Sequence, residues 1–155
     1  MKLNKIFKNI LLITFATMLL SACATKKVTN QMQGDVYTGK DTVEYLASGV
    51  PDRVFFATNE SVLTTASRET LRKQAAWLRK NSKINVVLEG HADERGTREY
   101  NLALGQRRSE SVSSYLIANG LSNSRMEAIS YGEERPLILG SFESSWQKNR
   151  RVEIK

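Results

Sequence analysis

Apolar residues recur along the chain at two spacings, and each spacing predicts one kind of secondary structure. A helical spacing predicts a first helix that is capped by Thr64 or Thr65 and ends near Asn81. Its buried face would be formed by Leu71, Ala75 and Leu78. Strict alternation over residues 84–89 predicts a strand that is covered on one side. The covered side would carry Ile84, Val86 and Leu88.

Three further strands and a second helix complete the predicted fold. The strands are Arg53–Phe56, Met126–Tyr131 and Arg151–Ile154. The helix runs from about Arg98 to Asn119, because a glycine follows and glycine favours the position after a helix. A loop containing Pro136 and Trp146 joins the last two strands. The order βαβαββ predicts an α/β fold, an α+β sandwich in which two main helices pack on one face of a small mixed sheet.

One charged residue falls on the apolar stripe of the second helix, which consists of Leu104, Arg108, Val112 and Tyr115. A guanidinium stays charged, so burying it unpaired would cost on the order of several kcal/mol. Two interpretations stay open. Arg108 could form a structural ion pair with Asp93 or Glu94. Alternatively, Asp93 and Arg108 could face one pocket, where Asp93 accepts from a ligand ammonium and Arg108 binds a ligand carboxylate. Such a pocket suits a zwitterion.

Residues 1–22 have the three parts of a secretory signal peptide. Lysines at positions 2, 5 and 8 precede an apolar run, Ile10–Leu20, that is too short to serve as a spanning helix. The Leu-Ser-Ala sequence before Cys23 resembles the bacterial lipobox, in which the cysteine is acylated and the signal peptide is removed. Acyl chains on Cys23 would anchor the protein to a membrane. Ala24 in the next position implies the outer membrane in similar lipoproteins.

The remaining chain divides into a linker and a domain. Residues 23–49 are polar and lack sustained apolar periodicity, which is typical of a flexible tether. Residues 50–155 are predicted to form one globular domain. The domain can therefore extend away from the membrane.

Charge and composition exclude several partners. The formal net charge is +7, but basic residues are interleaved with acidic ones, as in Arg68-Glu69 and Glu94-Arg95. This pattern, together with the export that the signal peptide predicts, argues against nucleic acid as a binding partner and favours an anionic cell-wall polymer. His91 is the only histidine, so no metal site and no cofactor are predicted. We expect His91 to form local hydrogen bonds that fix its loop.

Long motifs then identify a family. Gly-His-Ala-Asp-Glu-Arg-Gly-Thr over 90–97 is followed by Glu-Tyr-Asn at 99–101, Leu-Gly at 104–105 and Arg-Arg at 107–108. Ser-Tyr-Gly at 130–132 and Asn-Arg-Arg at 149–151 lie downstream. The combination resembles the OmpA-like peptidoglycan-binding domain, in particular its lipoprotein members that act with the Tol proteins. The resemblance covers about residues 54–154.

The resemblance implies a ligand and its contacts. In the family, the residues matching Asp93 and Arg108 hold the side-chain end of meso-diaminopimelate in the peptidoglycan stem peptide. The residues matching Thr58, Asn59 and Leu104 line the same pocket, although family members often have aspartate in place of Asn59. The resemblance also implies TolB and other Tol proteins as partners. The implied role is to tether the outer membrane to the cell wall during envelope constriction.

Two alternatives concern single residues. Asp93 and Glu94 could form the acid/base pair of a peptidoglycan hydrolase, but adjacent side chains usually diverge. The chain has no serine or cysteine triad for a peptidase, because Cys23 would be acylated, and we therefore predict that it is not an enzyme. Arg150 could face the ligand or join the last strand to the rest of the domain, and the structural role is favoured.

Overall fold

The computed structural model of this chain describes residues 45–155. Predictions about the signal peptide, Cys23 and the first part of the tether lie outside these residues. In chain order the elements are β1 (Tyr45–Ala47), β2 (Val50–Pro51), β3 (Arg53–Phe55), α1 (Thr65–Lys80), β4 (Val86–His91), α2 (Arg98–Ala118), a 3-10 turn (Asn123–Arg125), β5 (Met126–Gly132), α3 (Glu143–Asn149) and β6 (Arg151–Ile154). None of the helices within 45–155 is long and apolar enough to span a membrane.

Strand topology brings distant parts of the sequence to one edge of the sheet. The four strands have the order β3-β6-β4-β5. β6 is antiparallel to both β3 and β4, and β5 is parallel to β4. β3 and β4 therefore run in the same direction, so their carboxyl ends and the amino end of β6 lie at the same edge. The loops that follow β3 and β4 meet there.

The core lies between the sheet and the two long helices. Val86 and Leu88 of β4 are buried in one cluster with Val152 and Ile154 of β6, as alternation along a strand requires. The helices cover this face with buried side chains, Leu71, Ala75, Leu78, Val112 and Leu116. The predicted fold class and the placement of both helices are confirmed.

Both long helices begin and end close to the predicted positions. The hydroxyl oxygen of Thr64 accepts a hydrogen bond from the amide of Ser67 and caps α1, and Asn81 follows its last turn. α2 is capped by Thr97, and Gly120 has φ +90° beyond its end. Short polar side chains and a glycine therefore set the lengths of these helices.

The structure differs from the prediction in three places. β4 begins at Val86, and Ile84 lies before the strand and is exposed. Residues 143–149 form the short helix α3 where a loop was predicted. β1 lies in the segment predicted as tether and pairs with β2, so the folded part includes residues 45–49.

Two glycines allow α2 to approach β4 closely. A β-carbon at Gly90 would overlap the carbonyl oxygen of Gly105. A β-carbon at Gly105 would lie 2.9 Å from the carbonyl oxygen of Gly90. Backbone therefore packs on backbone here, and this contact sets the position of α2 relative to the loop after β4.

Candidate ligand-binding site

Arg108 projects from α2 into the junction between the two loops and is fully buried. Its Nη1 donates to the carbonyl oxygen of His91, at the end of β4, over 2.8 Å. Its Nε donates to the carbonyl of Glu60 over 2.8 Å, and its Nη2 donates to that of Ala57 over 3.0 Å. Burial lowers the pKa of Arg108 to about 9, so the side chain stays charged at neutral pH. Arg108 thus fastens the loop after β3 to the loop after β4.

Of the two interpretations of Arg108, the direct ion pair with Asp93 or Glu94 is wrong. The cation is compensated by three carbonyl dipoles and also lies 5.3 Å from the centre of the Phe56 ring. Three hydrogen bonds use three of its five N–H groups, which leaves one on each terminal nitrogen. Each of these two N–H groups can donate a hydrogen bond to a carboxylate oxygen.

The loop after β3 contains a tight turn that Arg108 holds at both ends. The amide of Glu60 donates to the carbonyl of Ala57 over 3.3 Å, and Arg108 binds the carbonyls of both residues. Asn59 has φ +56°, a left-handed conformation that asparagine and aspartate tolerate better than most residues. Thr58 and Asn59 are exposed at the tip of the turn. The asparagine that replaces the common aspartate therefore suits the same backbone.

Asp93 is held by two arginines that the sequence did not assign to it. Arg95 donates to its Oδ1 from Nε over 3.0 Å and to its Oδ2 from Nη2 over 2.7 Å. The amide of Arg95 adds a bond to Oδ1 over 3.2 Å. Nη1 of Arg150 donates to Oδ2 over 3.2 Å. Burial alone would raise the pKa of Asp93, but these hydrogen bonds outweigh it and hold the pKa below its usual value.

Arg150 is a structural centre of the site. Its side chain is fully buried, and its Nε donates to the carbonyl of Phe56 over 3.1 Å. Its Nη2 pairs with Glu143 of α3 over 2.7 Å. The favoured structural role agrees with these contacts, and Arg150 also orients the carboxylate of Asp93. Its distance in sequence from Asp93 explains why spacing alone gave no sign of the pair.

Arg95 lies on the solvent side of Asp93. Its guanidinium carbon is 4.1 Å from the centre of the Trp146 ring, a cation–π contact. Its Nη2 also reaches the hydroxyl of Thr58 over 3.4 Å. The indole N–H of Trp146 donates to Glu94 over 3.1 Å. Trp146 and Arg95 thus form one wall of the site.

Leu104 and His91 are buried beside the site residues. Leu104 lies one turn before Arg108 on the same face of α2. The expectation that the His91 ring forms local hydrogen bonds is wrong, because both ring nitrogens lack a partner among the described residues. The ring instead packs against Tyr131 at a centroid distance of 5.7 Å. Burial, followed by the charge of Arg151, lowers the pKa of His91 to about 3.

The sequence and the fold both resemble those of known proteins. The sequence pattern of the OmpA family matches residues 55–150. The peptidoglycan-associated lipoprotein of Brucella melitensis is 40% identical over 143 residues, which cover 89% of this chain and 85% of that protein. The crystal structure of the peptidoglycan-associated lipoprotein from Burkholderia pseudomallei has a TM-score of 0.67 at 34% identity, covering 76% of this chain and 98% of that one.

A more distant likeness concerns the fold alone. The C-terminal domain of MotB from Helicobacter pylori has a TM-score of 0.63 at 21% sequence identity. The match covers 67% of this chain and 82% of that chain. The arrangement of two long helices on a mixed sheet is therefore shared with a protein of low sequence similarity.

Proposed function

This chain belongs to the OmpA family, and we propose that it binds peptidoglycan non-covalently through the diaminopimelate of the stem peptide. Relatives that align over most of its length are named peptidoglycan-associated lipoproteins. The observation that carries the proposal is the junction itself, where a buried cation from α2 and an anion on the loop after β4 both lie between the same two loops. Asp93 and Arg108 are the charges concerned.

The chemistry of the ligand matches this junction. The side-chain end of meso-diaminopimelate bears an ammonium and a carboxylate on one carbon atom. Asp93 supplies an acceptor for the ammonium, and the two unused N–H groups of Arg108 suit the carboxylate. Thr58 and Asn59 on the turn, with Leu104 on α2, would complete the pocket. A lysine side chain has only the ammonium and would offer no carboxylate to the two unused N–H groups of Arg108.

The anchor and the partners extend the proposal to the whole chain. Cys23 would carry the lipid that holds the protein in the outer membrane, and residues 23–49 would let the domain reach the cell wall. The domain would lie in the periplasm. TolB and other Tol proteins are the proposed protein partners, in envelope integrity and cell division. The protein would thus link the outer membrane to peptidoglycan without covalent attachment to the wall.

Binding fits the carboxylates of the site better than hydrolysis does. A general acid needs a raised pKa. The pKa of Asp93 is instead held low, since hydrogen bonds from Arg95 outweigh the effect of burial. Hydrogen bonds from Ser141 and Trp146 also lower the pKa of Glu94. Two carboxyl groups that both stay ionised are poor candidates for an acid/base pair.

Co-sedimentation with purified peptidoglycan sacculi tests the proposal. The full chain in detergent should pellet with diaminopimelate-type sacculi, and Asp93→Asn should weaken binding about tenfold by removing a charge-assisted contact. Glu69→Gln is the matched control, because it makes the same acid-to-amide change at an exposed position of α1. Binding of Asp93→Asn equal to that of Glu69→Gln would reject Asp93 as a ligand contact.

A further inference from the structure

The carboxylate of Asp93 has no acceptor site left for a ligand. A carboxylate offers about four lone-pair positions. Four N–H groups approach it within 3.2 Å, namely the amide, Nε and Nη2 of Arg95 and Nη1 of Arg150. A ligand ammonium can therefore bind Asp93 only after one of these donors leaves.

Exposure distinguishes the two arginines. The side chain of Arg150 is 1% exposed and is also bonded to Glu143 and to the carbonyl of Phe56. The side chain of Arg95 is 38% exposed. Arg150 would have to break buried contacts to move, whereas Arg95 can rotate into solvent. Arg95 is therefore the donor that a ligand can replace.

Arg95 also closes the junction above Arg108. Arg108 joins the carbonyls of Ala57 and Glu60 on one loop to that of His91 on the other. Arg95 joins Thr58 to Asp93 across the same two loops, on the solvent side. Arg108 has no exposed surface in this arrangement. A ligand that reaches Arg108 has to pass the position of Arg95.

We propose that Arg95 is a side-chain lid, which in the ligand-free protein occupies the cation position on Asp93 and is displaced by the ligand ammonium. This inference rests on the proposed function. The ligand carboxylate then reaches the two unused N–H groups of Arg108. When displaced, Arg95 can rotate away from Asp93 and from the Trp146 ring into solvent, and Glu143, 3.8 Å from its Nη1, stays within reach as an anion. Every ligand that enters the site must first break the Arg95–Asp93 pair.

A double-mutant cycle tests the lid in the full chain in detergent. The probe is a soluble stem tripeptide containing meso-diaminopimelate, and the affinity is measured by calorimetry. Arg95→Met keeps the apolar stem but removes the guanidinium, so it should raise the affinity roughly threefold to tenfold, the value of a partly exposed bidentate pair. In an Asp93→Asn background the same change should give no increase, because Arg95 then has no carboxylate to release.

Arg98→Met is the matched control for charge. Arg98 is three positions away, 62% exposed and paired with Glu134. Its loss should not raise the affinity, and any general effect of removing one positive charge appears there. Equal or weaker binding by Arg95→Met, with normal binding by the wild type, would overturn the lid and leave the proposed function standing. Absence of binding by the wild type and by Arg95→Met would overturn the proposed function itself.

Trp146 supplies an independent signal. In the Trp77→Phe variant, the fluorescence emission of Trp146 should change when ligand saturates the protein. The reason is that the Arg95 guanidinium, 4.1 Å from the ring, then moves. In the same chain with Arg95→Met, ligand should change the emission much less. An unchanged emission at saturation in the Trp77→Phe chain would mean that Arg95 stays in place, and would contradict the lid.

Discussion

Replacing Gly105 by alanine should destabilise the domain, although alanine favours a helix over glycine by about 1 kcal/mol. Gly105 lies in α2 directly against Gly90 of β4. A β-carbon at position 105 would overlap the hydroxyl oxygen of Ser130 and lie 2.9 Å from the carbonyl oxygen of Gly90. The sign of the effect therefore distinguishes close packing from helix propensity.

Two costs set the magnitude. The Ser130 hydroxyl donates to the carbonyl of Leu102 over 2.7 Å and accepts from the amide of Gly132 over 3.2 Å. Displacing it loses about 1 kcal/mol for each bond. The carbonyl of Gly90 belongs to a central strand and cannot rotate away, so overpacking costs about 1–3 kcal/mol more. After the gain in helix propensity, a net loss of about 2–4 kcal/mol remains.

Urea denaturation followed by far-ultraviolet circular dichroism measures this loss. Ala103→Gly is the matched control, because Ala103 is exposed in the same helix. It should cost only about 0.5–1 kcal/mol from the opposite change in propensity. A Gly105→Ala protein as stable as the wild type, or more stable, would refute the close-packing explanation. Such a result would also remove the reason given for the position of α2 relative to the loop of Asp93.

Two further predictions concern a buried base and the anchor. The folded pKa of His91 is about 3 against an ordinary value of 6.5, so its contribution to stability is fully present above pH 6.5 and is lost as the pH falls. Between pH 7 and pH 5 the free energy of unfolding of the wild type should fall by roughly 2 kcal/mol from this source. In urea titrations at each pH, the free energy of unfolding of His91→Phe should depend less on pH. The same pH dependence in both proteins would exclude His91 as the origin. Cys23→Ser should abolish metabolic labelling by palmitate and release the protein from the membrane fraction, and persistent membrane binding would reject the lipobox prediction.

The hydrophobic pattern predicted those elements in which buried residues recur at a regular spacing. α1 and α2 were recovered because Leu71, Leu78 and Val112 recur at helical spacing and because Thr64 and a terminal glycine mark the ends. α3 was missed for the converse reason. Its sequence is polar, its N-cap is Phe142 without a side-chain hydrogen bond, and only Ser145 and Asn149 are buried. A helix without an apolar stripe gives no periodic signal in the sequence.

The sequence indicated that Arg108 is buried, but it did not indicate which groups Arg108 contacts. Arg108 was identified because a cation on an apolar stripe must be buried with a partner. That partner turned out to be three carbonyl groups, which every residue carries and no sequence pattern can single out. Arg150 was weighed, but its bond to Asp93 depends on β6 lying beside β4. Local sequence patterns do not predict which strands lie side by side in the sheet.

Calorimetry with two stem tripeptides that differ only in their third residue tests diaminopimelate recognition most directly. One peptide carries meso-diaminopimelate and the other carries lysine, so they differ by a single carboxylate. The full chain in detergent should bind the first more tightly by about tenfold or more, because lysine offers no carboxylate to the two unused N–H groups of Arg108. Equal affinity for the two peptides would contradict recognition of diaminopimelate by Asp93 and Arg108.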